Sequence, residues 1–164
     1  MNALLNRSAG APTDRTTSQQ FVLLAIGEET YGIEIGMIHG IIMPQPVTEV
    51  PKTPLYVKGV TNLRGKILPV LDMRTRFGLG PVPANKAMHV RFVIVETVNT
   101  TAGIIVDAVS EVACLGPDEI DPPSQLLHSE AYACMSGVGK LSSGGSDRLV
   151  VILDVDKLLE LSDG

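Results

Sequence analysis

The stretch Gly59–Arg76, GVTNLRGKILPVLDMRTR, decides the fold prediction because two apolar runs flank a short polar corner. Short apolar runs that are bounded by turn residues are typical of β-strands. The corner, Asn62–Gly65, supplies an asparagine and a glycine, the residues that tight turns favour. We therefore predict a β-hairpin. Arg64 stands at its corner, although the turn itself requires no arginine.

The rest of the chain repeats this plan of short apolar runs separated by turn residues. Three further hairpins are predicted, formed by Phe21–Gly27 with Thr30–Ile35, Val90–Thr97 with Thr101–Val109, and Ser136–Leu141 with Arg148–Val155. Met37–Met43 fits either one helical turn or a bent strand, because glycines and a proline surround it. A short amphipathic helix should close the chain, capped by Asp154 or Asp156.

Many short strands with frequent turns indicate an all-β protein with short helices, built as barrels or sandwiches. Gly78–Asn85 is the strongest linker candidate, since Gly and Pro punctuate it. We therefore expect a flexible N-terminal arm over residues 1–20, a body over 21–161 and a tail over 162–164. The body should consist of two small barrels that divide near 78–90.

Charge is distributed unevenly along the 164 residues, whose net charge is −5. Residues 1–51 carry a net −3, residues 52–91 a net +7 and residues 92–164 a net −9. Two interpretations stay open: chance clustering on solvated faces, or electrostatic docking of acidic partners or of a second copy. Nucleic-acid binding fits poorly, because the acidic second half would repel phosphates and the chain contains no Trp.

The sequence also predicts the compartment. The N-terminus lacks the charged and apolar regions of a secretion signal. No apolar run reaches the roughly 18–20 residues that a membrane span needs, so no direct membrane insertion is expected. The two cysteines, Cys114 and Cys134, form no CxxC motif. A cytoplasmic location is the simplest interpretation.

No catalytic, cofactor-binding or metal-binding motif is recognisable. The Gly-Lys pair at Gly139 lacks the upstream glycine and the following Ser or Thr of a phosphate-binding loop. His39, His89 and His128 are widely separated and form no metal-ligand spacing. We therefore expect a protein that is not an enzyme and that uses neither cofactor nor metal.

A longer run around the corner carries a family resemblance. Tyr56–Leu79, YVKGVTNLRGKILPVLDMRTRFGL, resembles the signature of the CheW chemotaxis coupling proteins. Segments elsewhere resemble the family in the same order: YGIEI, VPKTPLYVKG, AGIIVDAVSEVACL, SGVGKL and LVVILDVDKLLEL. The similarity extends from about Phe21 to Leu161.

The resemblance implies a fold of two intertwined five-stranded SH3-like barrels without enzymatic activity. It also implies an adaptor that joins the cytoplasmic tips of chemoreceptors to the regulatory domain of the histidine kinase CheA. Such adaptors lie at membrane receptor arrays, where self-association in rings is possible. The alternative function is a double-barrel module outside chemotaxis that binds a small molecule or a nucleic acid, the latter with steep salt dependence.

The resemblance also implies a partner surface centred on the corner. Its expected residues are Arg64, Asn62, Leu63, Ile35, Ile38, Val60, Val106 and Asp107. Other interpretations stay open: a solvated turn residue for Arg64, ordinary barrel core for Ile35, Val60 and Val106, and a strand-end cap for Asp107.

One position departs from the family pattern. Members usually carry a glutamate where this chain has Gly40, in the segment Ile38–Ile41. The resemblance therefore does not carry the usual acidic contact with a partner over to this chain. We hypothesise a variant coupling protein with its own cognate partner, in which His39 partly takes over the position.

Overall fold

The computed structural model describes residues 18–123, 133–143 and 146–160. Most of the expected N-terminal arm, through residue 17, and the expected tail lie outside these residues. Among the described residues, no helix is long and apolar enough to cross a membrane. The predicted all-β class with short helices is confirmed, because strands contain most of the described chain.

Eleven strands and two short α-helices make up the described fold. The strands are β1 Gln19–Ile26, β2 Glu29–Glu34, β3 Ile38–Ile42, β4 Val57–Leu63, β5 Lys66–Asp72, β6 Arg91–Glu96, β7 Thr101–Val106, β8 Ala108–Leu115, β9 Ile120–Asp121, β10 Met135–Ser143 and β11 Ser146–Leu153. The helices are α1 Met73–Arg76 and α2 Val155–Leu158, and short 3₁₀ segments cover Ile35–Met37, Ala84–His89 and Pro117–Glu119.

The strands form two sheets. Sheet A has the order β9-β10-β11-β2-β1-β8, and sheet B has the order β3-β6-β7-β5-β4. Sheet B has the expected five strands, and sheet A has six because the two-residue β9 adds to its edge. All four predicted hairpins are present, as β1–β2, β4–β5, β6–β7 and β10–β11.

Two parallel pairings interleave the halves of the chain. β2 lies parallel to β11 in sheet A, and β5 lies parallel to β7 in sheet B. Each sheet therefore contains strands from both sides of residues 78–90, and this stretch does not separate the sheets. The domain boundaries predicted from the sequence stay predictions.

The core lies on both faces of the central strands. In β1, Phe21 and Leu23 pack into a core within sheet A, whereas Leu24 and Ile26 pack into a central core shared by the two sheets. In β6, Phe92 and Ile94 likewise face a core within sheet B. Burial on both faces explains the continuous apolar runs, such as FVLLAI, that these strands show.

Local capping and turn residues position the ends of these elements. Asp72 and Asp154 cap the two α-helices, the side chain of each accepting a hydrogen bond from a backbone N–H in the first turn. Asp154 is thus the cap of the two candidates. Met37–Met43 begins at the end of a 3₁₀ turn and continues as β3, so it combines the two predicted alternatives.

The segment after β3 closes the edge of sheet B. Thr48 exchanges two backbone hydrogen bonds with Val60 of β4, each 2.8 Å long. This approach requires Gly59, because a Cβ there would lie 2.1 Å from the Thr48 carbonyl oxygen and its φ is +151°. The glycine in the signature therefore has a structural role in closing the barrel.

Candidate functional site

The Arg64 corner is a two-residue hairpin loop. Leu63 and Lys66 form the last pair of β4 and β5, and the two loop residues have φ values of 53° for Arg64 and 84° for Gly65. Positive φ at both central residues defines a type I′ turn. The Asn62 side chain supports it, since Oδ1 accepts a hydrogen bond of 2.9 Å from the Gly65 N–H.

An arginine is an unfavourable residue for this backbone. Left-handed φ costs a residue with a Cβ roughly 1–2 kcal/mol, and the first position of this turn favours Asn, Asp or Gly. Arg64 therefore stabilises the turn less than an asparagine would. The presence of an arginine at this position is therefore explained by what its side chain can bind and not by the backbone of the turn.

Arg64 is exposed, and its guanidinium contacts no hydrogen-bonding or charged partner in the part of the chain that the structure describes. Each of the other four arginines in that part has a partner. These pairs are Arg74 with Asp107, Arg76 with Cys134, Arg91 with the Val90 carbonyl, and Arg148 with Glu111. Arg64 is thus available to a binding partner.

The neighbouring residues of β4 and β5 divide between two faces. Leu63 packs against the core of sheet B, while Asn62 and the half-buried Val60 lie on the opposite face. Asn62 pairs across the hairpin with Ile67, whose side chain is 61% exposed. The sequence analysis missed Ile67, although strict alternation would have placed it opposite Asn62.

Strand directions place other segments at the same end of sheet B. β7 runs parallel to β5, and β6 and β3 follow in alternating direction, so Glu96, Thr101 and Ile38 lie at the end where Arg64 stands. We call Ile35–Ile38, Asn62–Ile67 and Glu96–Thr101 the Arg64 end. Ile35 is 40% exposed there, whereas Ile38 is half-buried against the central core.

Val106 and Asp107 do not lie at the Arg64 end. Val106, at the far end of β7, has no exposed surface and belongs to the central core. Asp107 is also buried: its carboxylate pairs with Arg74 and accepts a hydrogen bond of 2.9 Å from the Gly27 N–H. The Arg64 end thus contains five of the eight predicted surface residues, and a sixth, Val60, lies two residues before Asn62 on the same face of β4.

The backbone does not require a glycine at position 40, where the family usually has a glutamate. A Cβ at Gly40 would meet no atom within 4 Å, and its φ lies outside the left-handed region. A glutamate would therefore fit. The preceding His39 is exposed, and its Nδ1 lies 3.1 Å from Oε1 of Glu96 on the neighbouring strand.

The other end of sheet B contains a cavity of about 630 Å³. Its wall includes apolar residues of the connecting segments and the Arg74–Asp107 pair. These two charges satisfy each other, the Asp72 side chain in the same wall caps α1, and Lys58 adds a further cation. In addition, no cluster of three metal-ligating side chains occurs among the residues that the structure describes.

Comparison with known proteins relates this arrangement to one family. The CheW-like domain model matches residues 20–163. The chemotaxis protein CheW of Helicobacter pylori is 37% identical over 154 residues, covering 93% of this chain and 89% of that protein. The chemotaxis protein CheW of Klebsiella aerogenes is 33% identical over 144 residues, covering 88% and 83%.

A solved structure agrees with these sequence relatives. The scaffolding protein TtCheW from Thermoanaerobacter tengcongensis superposes with a TM-score of 0.76 at 32% identity, over 89% of this chain and 95% of that chain. The fold is thus the two-barrel CheW fold, and a binding module outside chemotaxis is not favoured. The chain belongs to the CheW-like family of chemotaxis coupling proteins, which are adaptors without enzymatic activity.

Proposed function

We propose that this protein joins the cytoplasmic tips of chemoreceptors to the CheA histidine kinase, and that the Arg64 end is its main contact surface. The observation that carries the proposal is Arg64 itself. It is exposed, has no partner among the described residues and occupies a turn position that favours other residue types. A guanidinium held at a rigid hairpin corner suits a carboxylate or carbonyl of a partner.

Apolar side chains beside Arg64 support a helical partner. Ile67 is exposed, Val60 is half-buried on the same outer face of the hairpin, and Ile35 is exposed in the turn that leads into β3. An amphipathic helix binds such a surface through its apolar stripe, while charges at the rim set its orientation. A receptor tip, which is a helical hairpin in this family, has the required shape.

The uneven charge supports contacts with kinase domains and with further copies. The basic segment 52–91 contributes strands only to sheet B, whereas exposed acids such as Asp118, Asp121 and Asp156 lie on or beside sheet A. Opposite charges on two barrels favour head-to-tail association. We propose that the kinase regulatory domain and further copies of this protein bind at the ends of the two oppositely charged barrels. Such contacts would hold the protein at receptor arrays.

Calorimetric titration against two partners tests the proposal: a receptor-tip hairpin and the kinase regulatory domain from the same organism. We expect Arg64→Asn to weaken the binding of at least one partner more than tenfold, as loss of a central interface arginine does. Because asparagine is favoured in the left-handed region, the same variant should unfold at an unchanged or slightly higher denaturant concentration.

Lys58→Ala is the matched control, because it removes an exposed positive charge from the same hairpin near the end of β4 that lies away from Arg64. It should change affinity by less than a factor of three or so, as surface charges usually do. Equal binding by the wild type and Arg64→Asn would remove Arg64 from the interface. A folded wild type that binds neither partner would overturn the proposed function.

A further inference from the structure

A second charged feature lies at the Arg64 end, on β6 and its two neighbours β3 and β7. Glu96, the last residue of β6, is held from both sides. His39 of β3 lies 3.1 Å from its Oε1, and the Thr101 hydroxyl of β7 donates a 3.3 Å hydrogen bond to its Oε2. The Glu96 side chain is still 45% exposed, so the carboxylate is oriented by protein groups and also open to solvent.

This arrangement differs from an ordinary surface ion pair. The residue opposite Glu96 is a histidine, the only side chain whose charge ordinarily changes between about pH 5 and pH 8. A neutral His39 can donate a hydrogen bond and leaves Glu96 with its full negative charge. A protonated His39 is positive and offsets that charge. The local charge is thus about −1 in one state and about 0 in the other.

No other described group compensates for this change. Arg64 and Lys66, the cations of the same end, form no ion pair with Glu96, and His39 and Glu96 form no further ion pair among the described residues. The hydroxyl of Thr101 keeps Glu96 oriented in either state. The state of His39 therefore alters the charge offered to a partner without a requirement for backbone movement.

We infer that Glu96 is a second, acidic contact of the Arg64 end, which binds a cationic side chain of the partner, and that His39 makes this contact weaken as the pH falls. The inference rests on the proposed function and deepens it. The partner surface then carries an acid or carbonyl opposite Arg64 and a cation opposite Glu96. Such a two-charge pattern fixes the orientation of a helical hairpin better than one charge does.

The test measures affinity for the receptor-tip hairpin at about pH 8 and about pH 6 at constant ionic strength. Wild-type binding should be roughly threefold to fivefold weaker at the lower pH, the effect of one exposed interface charge. Glu96→Gln should show the weaker affinity at both pH values. His39→Gln should keep the stronger affinity at both, because Thr101 still orients Glu96.

His89→Gln is the matched control, since His89 lies in the 3₁₀ segment that precedes β6, at the opposite end of sheet B. It should retain the wild-type pH response. Thermal unfolding verifies that every variant is folded. A pH response unchanged in His39→Gln, or a Glu96→Gln affinity equal to that of the wild type at pH 8, would overturn the inference while leaving the proposed function intact. A folded wild type that binds neither the hairpin nor the kinase domain would overturn both.

Discussion

Asp107 lies where three segments of the chain meet. Its carboxylate pairs with Arg74 after β5 and accepts the Gly27 N–H of the β1–β2 turn, while its own N–H donates to the Ala25 carbonyl over 2.9 Å. Arg74 also donates to the Gly80 carbonyl over 2.6 Å. Asp107 thus connects sheet A to sheet B. This structural role explains the acid at position 107 without any contact to another protein.

Removal of that carboxylate should destabilise the protein strongly. Asp107→Ala leaves Arg74 as an unpaired charge whose side chain is only 17% exposed. We expect the free energy of unfolding to fall by about 3 kcal/mol, measured by urea denaturation. Glu111→Ala breaks the exposed pair with Arg148 and should cost less than about 1 kcal/mol. Equal losses in the two variants would contradict the connecting role of Asp107.

Because of Tyr31, we expect the free energy of unfolding to depend on pH in the alkaline range. Burial, and secondarily the negative charge of Glu29, raises the pKa of the Tyr31 phenol above its ordinary value. The unfolded chain therefore loses this proton more readily than the folded chain does. The contribution of the protonated Tyr31 phenol to the stability of the fold is fully present below about pH 10. It is lost as the pH rises through the pKa that Tyr31 has in the folded chain.

Tyr31→Phe isolates this contribution and keeps the ring that stacks on Phe77 at a centroid distance of 5.2 Å. Urea unfolding between about pH 8 and pH 11 should show a smaller alkaline loss of stability in the variant than in the wild type. Parallel curves would show that Tyr31 does not contribute to the pH dependence.

At the scale of elements, the β4–β5 hairpin has different functions at its two ends. The turn displays Arg64, and the strand positions behind it hold the barrel closed. Gly59 allows the Thr48 backbone to approach, while the Thr61 hydroxyl donates to the Pro46 carbonyl over 2.8 Å. A rigid attachment of the hairpin base limits the movement of the corner, as a preorganised binding residue requires.

Gly59→Ala should open this edge of sheet B. A Cβ 2.1 Å from the Thr48 oxygen forces the two segments apart, and φ of +151° strains the alanine itself. We expect a loss of about 2 kcal/mol or more in the free energy of unfolding and faster hydrogen exchange of the Val60 amide. Gly40→Ala, where the new Cβ meets nothing within 4 Å, should change stability by roughly 0.5 kcal/mol or less. Equal effects at the two glycines would contradict the closure argument.

The whole molecule is held together by the core between its sheets. Leu24 and Ile33 from sheet A meet Val93 and Ile104 from sheet B in one cluster. The parallel pairs β2–β11 and β5–β7 further connect strands that are distant in the chain. Neither sheet can therefore be completed by one half of the sequence.

Division of the chain between Pro83 and Ala84 tests this interdependence. We expect residues 1–83 and 84–164 to remain unfolded separately, as judged by circular dichroism, and to regain β-structure when they are mixed. The intact chain should unfold in a single transition, with far-ultraviolet and tyrosine signals coinciding. A half that folds cooperatively by itself would refute the shared-core argument.

Much of this architecture could be predicted because it is local. The hairpin at Asn62–Gly65, for example, follows from short apolar runs on either side of turn residues, and the sequence limited the helix cap to Asp154 or Asp156, between which the structure selects Asp154. The place of Arg64 at the corner follows in the same way, whereas Ile67 was missed and the partner surface around Arg64 was implied only by the family resemblance. The burial of Val106 and Asp107 could not be predicted, because alternation assigns a residue to a face of a strand without showing what covers that face.

The sequence by itself determined the all-β class, the four hairpins, the corner that exposes Arg64 and the resemblance to the CheW family. These depend on contacts between near neighbours, for which residue type and spacing are sufficient. Only the tertiary structure decided that β2 pairs with β11 and β5 with β7, that Val106 and Asp107 are buried, and that His39 and Thr101 orient Glu96. These contacts join residues far apart in the chain or on separate strands, and packing of the two sheets, rather than local pattern, selects them.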